Sequence, residues 1–372
     1  MGTGANAATK YLADSYVFNW QNQTFAGDLV FVVPIAFCLA VGLAVGHPAA
    51  GMIAAGGAMT VGFGAKQSID RSRLLPMIFA SVGIAFSTFV GMIAGHDGYT
   101  LIPVAVLWGF GYGMLTAREG GYGWVGQQCV VTLLVGSAFP FSATLAAERA
   151  ALLLAGGAIQ VLWSSAALRL FHELGEDLLA MARYVREEEA ALKEAAAQIA
   201  LAVRRGRFND STLAYSLRLA ITLGMSTEIY RRLHFASGYW VPMTALLVLK
   251  PGLADTASRA IARTLGTVAG GYLLSVLLAH SQPSLAVVAV VTVLFAWLSY
   301  ATLNVNYATF AVFITGYIVF LLSLARMPGP EIAHRRALCT AVGGAIALGV
   351  RLLVLRHRHR AMLASSSQEA ES

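Results

Sequence analysis

Three cations, Lys250, Arg259 and Arg263, fall within one short stretch of the chain, with Arg259 and Arg263 four residues apart. On a helix that spacing puts both guanidinium groups on one face. A guanidinium offers parallel N–H donors that match both oxygens of a carboxylate. Cations gathered where water is partly excluded raise the local concentration of anions. The same residue types also serve as plain anchors to lipid phosphates, and residue chemistry by itself leaves both readings open. The surrounding sequence shapes the site. Pro242 removes a backbone donor and is expected to kink a short apolar helix, freeing a carbonyl. Lys250-Pro251-Gly252 then stops that helix. Asp255 or Thr256 can cap the next one, and Asp255 lies four residues before Arg259, within pairing reach. Gly266 and Gly270 form a GxxxG surface suited to close helix contact.

Other polar groups at expected membrane depth are candidates too, since burying them in lipid is costly. Gln127 and Gln128, and Asn304 and Asn306, are suited to hydrogen-bonding a substrate or to satisfying one another across helices. Trp108, Trp124, Tyr300 and Tyr307 suit either stacking on an aromatic acid or ordinary packing. His47, His96, His280 and His334 fall at expected helix ends, where a proton-coupled carrier needs groups titrating near neutrality. Glu148 and Glu228 are the nearest acidic carriers, and neither sits at mid-membrane. Cys38, Cys129 and Cys339 have neither metal-ligand nor disulfide spacing and read as small packing residues. The sequence contains no nucleotide-binding loop, no metal-ligand cluster and no Ser-His-Asp arrangement facing one site. We therefore expect no catalytic residue, no metal, no cofactor and no nucleic-acid partner.

The elements that must position these residues are apolar helices. Of 372 residues, 57% are hydrophobic and 12% charged, whereas a soluble domain carries about a quarter charged. Stretches of the roughly 20 apolar residues that span a bilayer begin near Asp28, Pro48, Leu75, Thr100, Tyr122 and Arg149. A second set begins near Leu213, His234, Arg263, Pro283, Leu303 and Ile332. The expected fold class is an all-α polytopic membrane protein of about twelve transmembrane helices. The 37 glycines fit closely packed spans. A β-barrel would instead show short alternating segments.

The expected layout is a cytoplasmic N-terminal segment (1–27) with no cleavable signal, then a first six-helix membrane half (28–170). A cytoplasmic helical linker (171–211), a second six-helix half (212–355) and a basic, disordered tail (356–372) complete the chain. The linker carries apolar residues at helical spacing, from Leu174 to Val203, between charges such as Glu187 and Arg204. With both termini in the cytoplasm, about twenty of the 26 basic residues fall inside, as the positive-inside rule requires. Arg149, Arg231, Arg232, Arg326, Arg335 and Arg336 are then placed at the outer side. There Arg231, Arg232, Arg326, Arg335 and Arg336 are expected either to line an anion exit or to bridge to Glu228, Glu331 or lipid headgroups. The halves also resemble each other: RAALLLAGGAI from Arg149 aligns without a gap on RALCTAVGGAI from Arg336. An even number of spans per half makes these parallel repeats.

The residues Tyr239-Trp240, Thr244, Lys250-Pro251, Thr256, Arg259, Arg263 and Gly266-Thr267 closely resemble the second-half signature of the fusaric acid resistance protein-like family. Arg218 resembles the arginine that opens that family's second membrane half. The motif covers Arg218 to Thr267, and the twelve-span layout extends the likeness along the chain. Here the inter-half segment is only about 40 residues, and the first half keeps only Lys66, Asp70, Arg71 and Arg73 of the matching loop. The superfamily includes bacterial aromatic acid exporters and, more remotely, plant aluminium-activated malate transporters. The resemblance implies an inner-membrane transporter exporting small organic anions, aromatic carboxylic acids foremost, driven by the proton gradient or membrane potential. It implies a homodimer and a periplasmic adaptor (membrane fusion) protein as partners beside the membrane lipid. A passive anion channel, and a non-transporting scaffold or assembly component, remain the alternatives.

Overall fold

The computed structural model describes residues 11–173 and 210–371, except positions 24, 71, 117, 119, 236, 251, 281–282 and 326–328. Most of the expected linker, together with Arg71, Pro251 and Arg326, lies outside the described residues. After a short turn of helix (Ala13–Tyr16), the main helices are α1 Phe25–Ala44, α2 Pro48–Gly62, α3 Leu74–Ala94, α4 Gly98–Thr116, α5 Gly120–Ser137 and α6 Ala143–Glu173. They continue as α7 Asp210–Arg232, α8 Trp240–Val248, α9 Leu253–His280, α10 Leu285–Thr302, α11 Tyr307–Ser323 and α12 Gly329–Glu371. Each expected apolar stretch falls on one of these helices. Seven helical stretches, on α1 to α4, α6, α10 and α12, are long and apolar enough to cross a membrane. The chain is a multi-pass membrane protein.

Two sequence expectations meet a different local structure. At nine residues, α8 is only about 13 Å long, well under the ~30 Å of a bilayer core. The expected disordered tail instead continues α12 to Glu371, through arginines, alanines, leucine and methionine, all good helix formers.

The same helix pairings occur in both halves. In the first, α1 packs on α2, α2 and α3 on α6, α3 on α5, and α4 on α5. In the second, α7 packs on α8, α8 and α9 on α12, α9 on α11, and α10 on α11. Across the halves, α4 lies on α7 as α10 lies on α1. The glycine pairs of the sequence match explain part of this. A side chain on Gly156 would collide with the backbone of Ala54 in α2, and one on Gly157 with Ser81 in α3. Gly343 meets Val241 and Thr244 in α8, and Gly344 faces Ala260 in α9. In each half, two adjacent glycines let the last helix fit between the second and third.

One large apolar core joins the halves, including Ile35, Ala55 and Met59 with Phe295, Ala296, Tyr300 and Phe320. Tyr300 is fully buried and its hydroxyl donates to the Met59 carbonyl at 2.7 Å. Trp108 donates to Ser87 Oγ at 2.9 Å and stacks on Phe86. Both are helix-to-helix locks, the packing side of the alternative left open above. Cys38 and Cys339 are buried among apolar neighbours.

Candidate functional site

The site is built around the turn between α8 and α9. Thr256, fully buried, acts as a latch: its hydroxyl accepts from the Lys250 amide at 3.0 Å and donates to the Gly252 carbonyl at 2.7 Å. That fixes the turn on which Lys250 sits. Pro242 does not kink the helix as the sequence suggested. It occupies the first turn of α8, where a missing N–H costs nothing, and the Gly238 carbonyl accepts from Val241 at 2.9 Å. Gly266 and Gly270 do form a contact face. Side chains there would strike Ala308, Ala311 and Val312 of α11, so α9 and α11 meet backbone to backbone.

Lys250 is half-buried at the α8–α9 turn. Burial foremost, then the Arg259 charge, bring its ammonium down to about 8, against the pull of Asp14 and Asp255. Arg259 lies over the Tyr307 ring at 3.9 Å, and its ion pair runs to Asp14 at 3.8 Å rather than to the exposed Asp255. Asp255 instead sits over Gly252, folded back on the turn. One helical turn deeper, Arg263 is 5% exposed, and its Nε has no hydrogen-bond partner.

Arg336 completes the cluster. The sequence reading put it at an outer mouth. The structure buries it at 1% exposure, over the Trp240 ring at 4.0 Å, within electrostatic reach of Arg263, Tyr239 and Tyr307. Its Nε and Nη1 find no partner. Among the described residues neither Arg263 nor Arg336 has a carboxylate in ion-pair range. Near them Thr267 is fully buried with an unpartnered hydroxyl. Two buried guanidiniums facing one interior, without an acid, make a place where an anion is stabilised and a cation is not.

The other candidates go elsewhere. Trp240 belongs to the cluster as the aromatic floor under Arg336. Thr244 is buried against Gly343 of α12 and reads as packing. Asn306 caps α11 and accepts from the Thr309 amide at 2.8 Å, while its Nδ2 holds the carbonyls of Asp14 and Val17. Its polar groups are therefore engaged by the protein. Asn304 is exposed at a cleft of about 730 Å³ lined otherwise by first-half and N-terminal residues, among them Asp28, Lys66, Ser68 and Arg73. There Lys66 pairs with buried Asp28 at 2.9 Å and donates to the Tyr300 carbonyl at 2.6 Å. Gln128 lies on α5 of the first half, where its carbonyl accepts from Thr132. Arg218 lies on α7 beside Tyr215. Neither joins the cluster. Of the expected outer arginines, Arg231 and Arg232 bind Glu228, Arg335 binds Glu331, and Arg149 lies over Phe141. His47, His96 and His334 are exposed.

Sequence reasoning placed Arg336 at an outer anion exit rather than in this buried cluster, and missed Asp14 altogether. Arg336 carried a signal, an ionisable residue set in an apolar helix, which is functional by default. Asp14 carried none.

Comparison with known proteins bears out the resemblance. Residues 223–350, which hold every residue of the cluster, match the family model described as fusaric acid resistance protein-like. An uncharacterized protein of Synechocystis sp. is 30% identical over 150 residues, 40% of this chain and 20% of its own. The uncharacterized protein YhfK of Escherichia coli is 31% identical over 135 residues, 36% of this chain and 19% of its own. Inner membrane protein YccS of Escherichia coli is 30% identical over 133 residues, 36% of this chain and 18% of its own. The aligned part thus spans about a fifth of these relatives. No solved structure matches the chain significantly.

Proposed function

Proceeding from the match of residues 223–350 to the fusaric acid resistance protein-like family, we propose that this protein moves small organic anions across the inner membrane through its second half. In this reading the twelve helices form two parallel six-helix repeats with both termini in the cytoplasm. Lys250 and Arg259 form the cytoplasmic mouth, and Arg263 and Arg336 form an inner site. The observation that carries the proposal is the burial of Arg263 and Arg336 without a carboxylate. Burying an unpaired charge costs several kcal/mol, and a passing anion offsets that cost only while it is bound.

Aromatic carboxylates fit best as substrates. The carboxylate suits the guanidinium fork, while the Trp240 and Tyr307 rings give an apolar wall for the remainder. A negative interior drives such anions outward, by about 2.3 kcal/mol per charge per 100 mV. Flux of labelled 4-hydroxybenzoate into proteoliposomes, with and without an imposed pH gradient, tests the reading. Gradient-dependent accumulation that Arg263→Gln abolishes is the expected result. Equilibration that follows voltage alone makes the protein a passive channel. No protein-dependent flux of any of several anions sinks transport and leaves a scaffold.

A further inference from the structure

The basic mouth is already covered by the chain's own N-terminal segment. The Asp14 amide donates to Ser258 Oγ at 2.8 Å, one residue before Arg259. Its carbonyl and that of Val17 accept from Asn306 Nδ2 at 3.3 and 2.9 Å. The Asn19 amide donates to the Val305 carbonyl at 2.9 Å. These bonds place the Asp14 carboxylate 3.8 Å from Arg259 Nη1, and close enough to Lys250 to act on its ammonium. Arg259 Nε still has no partner.

We infer that Asp14 is an internal stand-in for a carboxylate ligand, and that the site formed by Arg259, Lys250 and Tyr307 is where a free carboxylate first binds, displacing the N-terminal segment. The inference rests on the anion-transport reading for its consequence, and on the docked segment for its evidence. Three features make the segment displaceable. A single contact at 3.8 Å leaves the guanidinium fork half used, whereas a free carboxylate can take both donors. The pair is about one-third exposed at each end, so it is weak in water. The segment's large side chains are not buried: Tyr16, Val17, Phe18 and Trp20 are 42 to 59% exposed. A few polar contacts, rather than an apolar core, therefore hold the strap in place.

The test combines flux with a direct view of the segment. A nitroxide on Phe18→Cys, in purified protein in liposomes, is expected to be immobile without ligand. It should become mobile as 4-hydroxybenzoate is added. With Asp14→Asn the label should be mobile from the start, and Asp14→Glu should restore immobility. Asp14→Asn should also raise flux at low anion concentration by up to about fivefold, the most an exposed pair is worth, with wild-type and variant converging at saturation. A label that stays immobile at anion concentrations that saturate flux, or flux indifferent to Asp14→Asn, overturns the inference and leaves the transport reading standing. Release of the label without flux in any variant overturns the transport reading and leaves the carboxylate site standing.

Discussion

The two halves each carry cations against the core but treat them in opposite ways. In the first half Lys66, at the end of α2, is tied to the 3%-exposed carboxylate of Asp28 and to a carbonyl of α10. Both of those acceptors belong to the protein. In the second half Arg263 and Arg336 are buried as deeply, within electrostatic reach of each other, with N–H groups that have no hydrogen-bond partner and, among the described residues, no acid in ion-pair range. The first arrangement is complete without a ligand; the second is not. The family match covers residues 223–350, the part that holds Arg263 and Arg336.

The largest effect should separate these two treatments by stability. Lys66→Met removes the ammonium that lies 2.9 Å from the buried Asp28 carboxylate, and removing one partner of such a pair costs about 3–5 kcal/mol. Thermal unfolding in detergent should show that loss, and Lys66→Met with Asp28→Leu should recover most of it. Arg336→Met removes a charge that has no carboxylate partner, so it should be neutral or stabilising. If Arg336→Met instead destabilises as much as Lys66→Met, the contrast fails, and Arg336 is held by a structural partner.

Flux gives the next effect. Arg263→Gln removes a charged donor to the anion, worth about 1.5–3 kcal/mol, so uptake at low anion concentration should fall by roughly ten- to a hundredfold. Lys66→Gln with Asp28→Asn, which neutralises the first-half joint, should change uptake little. Equal losses from both would mean that both halves carry anions and that the first half is more than a joint.

How much of this the sequence discloses depends on the distance over which each contact acts. Helix positions are legible because apolar stretches and their Gly and Pro breaks are local. The α9–α11 contact is legible because Gly266 and Gly270 lie on one helix face whatever partner they meet. Arg259 is different. Asp255, four residues before it, looks like its partner, but that side chain folds over Gly252, and the ion pair comes from Asp14 at the other end of the chain. Pro242 shows that function can turn on a boundary. A helix starting a few residues earlier would have been kinked by it, whereas one starting at Trp240 is not. Arg336 aligns with Arg149 in the repeat, yet one is buried over Trp240 and the other lies over Phe141. Sequence similarity between the two stretches gave no means of telling which arginine is buried.

The pH dependence is a finer probe of the second half. The Lys250 ammonium, held near 8, faces Arg259, Asp14 and Asp255. It is charged below that pH and neutral above it, so the help it gives an anion is present at pH 7 and lost as pH rises past 8. Apparent affinity in flux assays should weaken across pH 7 to 9 in wild-type, and Lys250→Gln should flatten that slope. A slope unchanged in Lys250→Gln assigns it to the substrate or another group.

The smallest effect concerns Asn304, which lines the cleft beside Lys66 and Arg73 rather than the arginine cluster. Its amide is exposed, so water can replace whatever hydrogen bonds it makes at little cost. Asn304→Ala should therefore leave uptake within about twofold of wild-type, the scale of an ordinary surface substitution. Asn304 sits just before Val305 and Asn306, the residues that hold the N-terminal segment, and just after the last turn of α10, whose Tyr300 carbonyl is bound by Lys66. This loop is where the two treatments of charge meet. A tenfold loss in Asn304→Ala, with Asp14→Asn silent, would mean that anions enter through the cleft beside Lys66. The path would then belong to the joint as much as to the arginines.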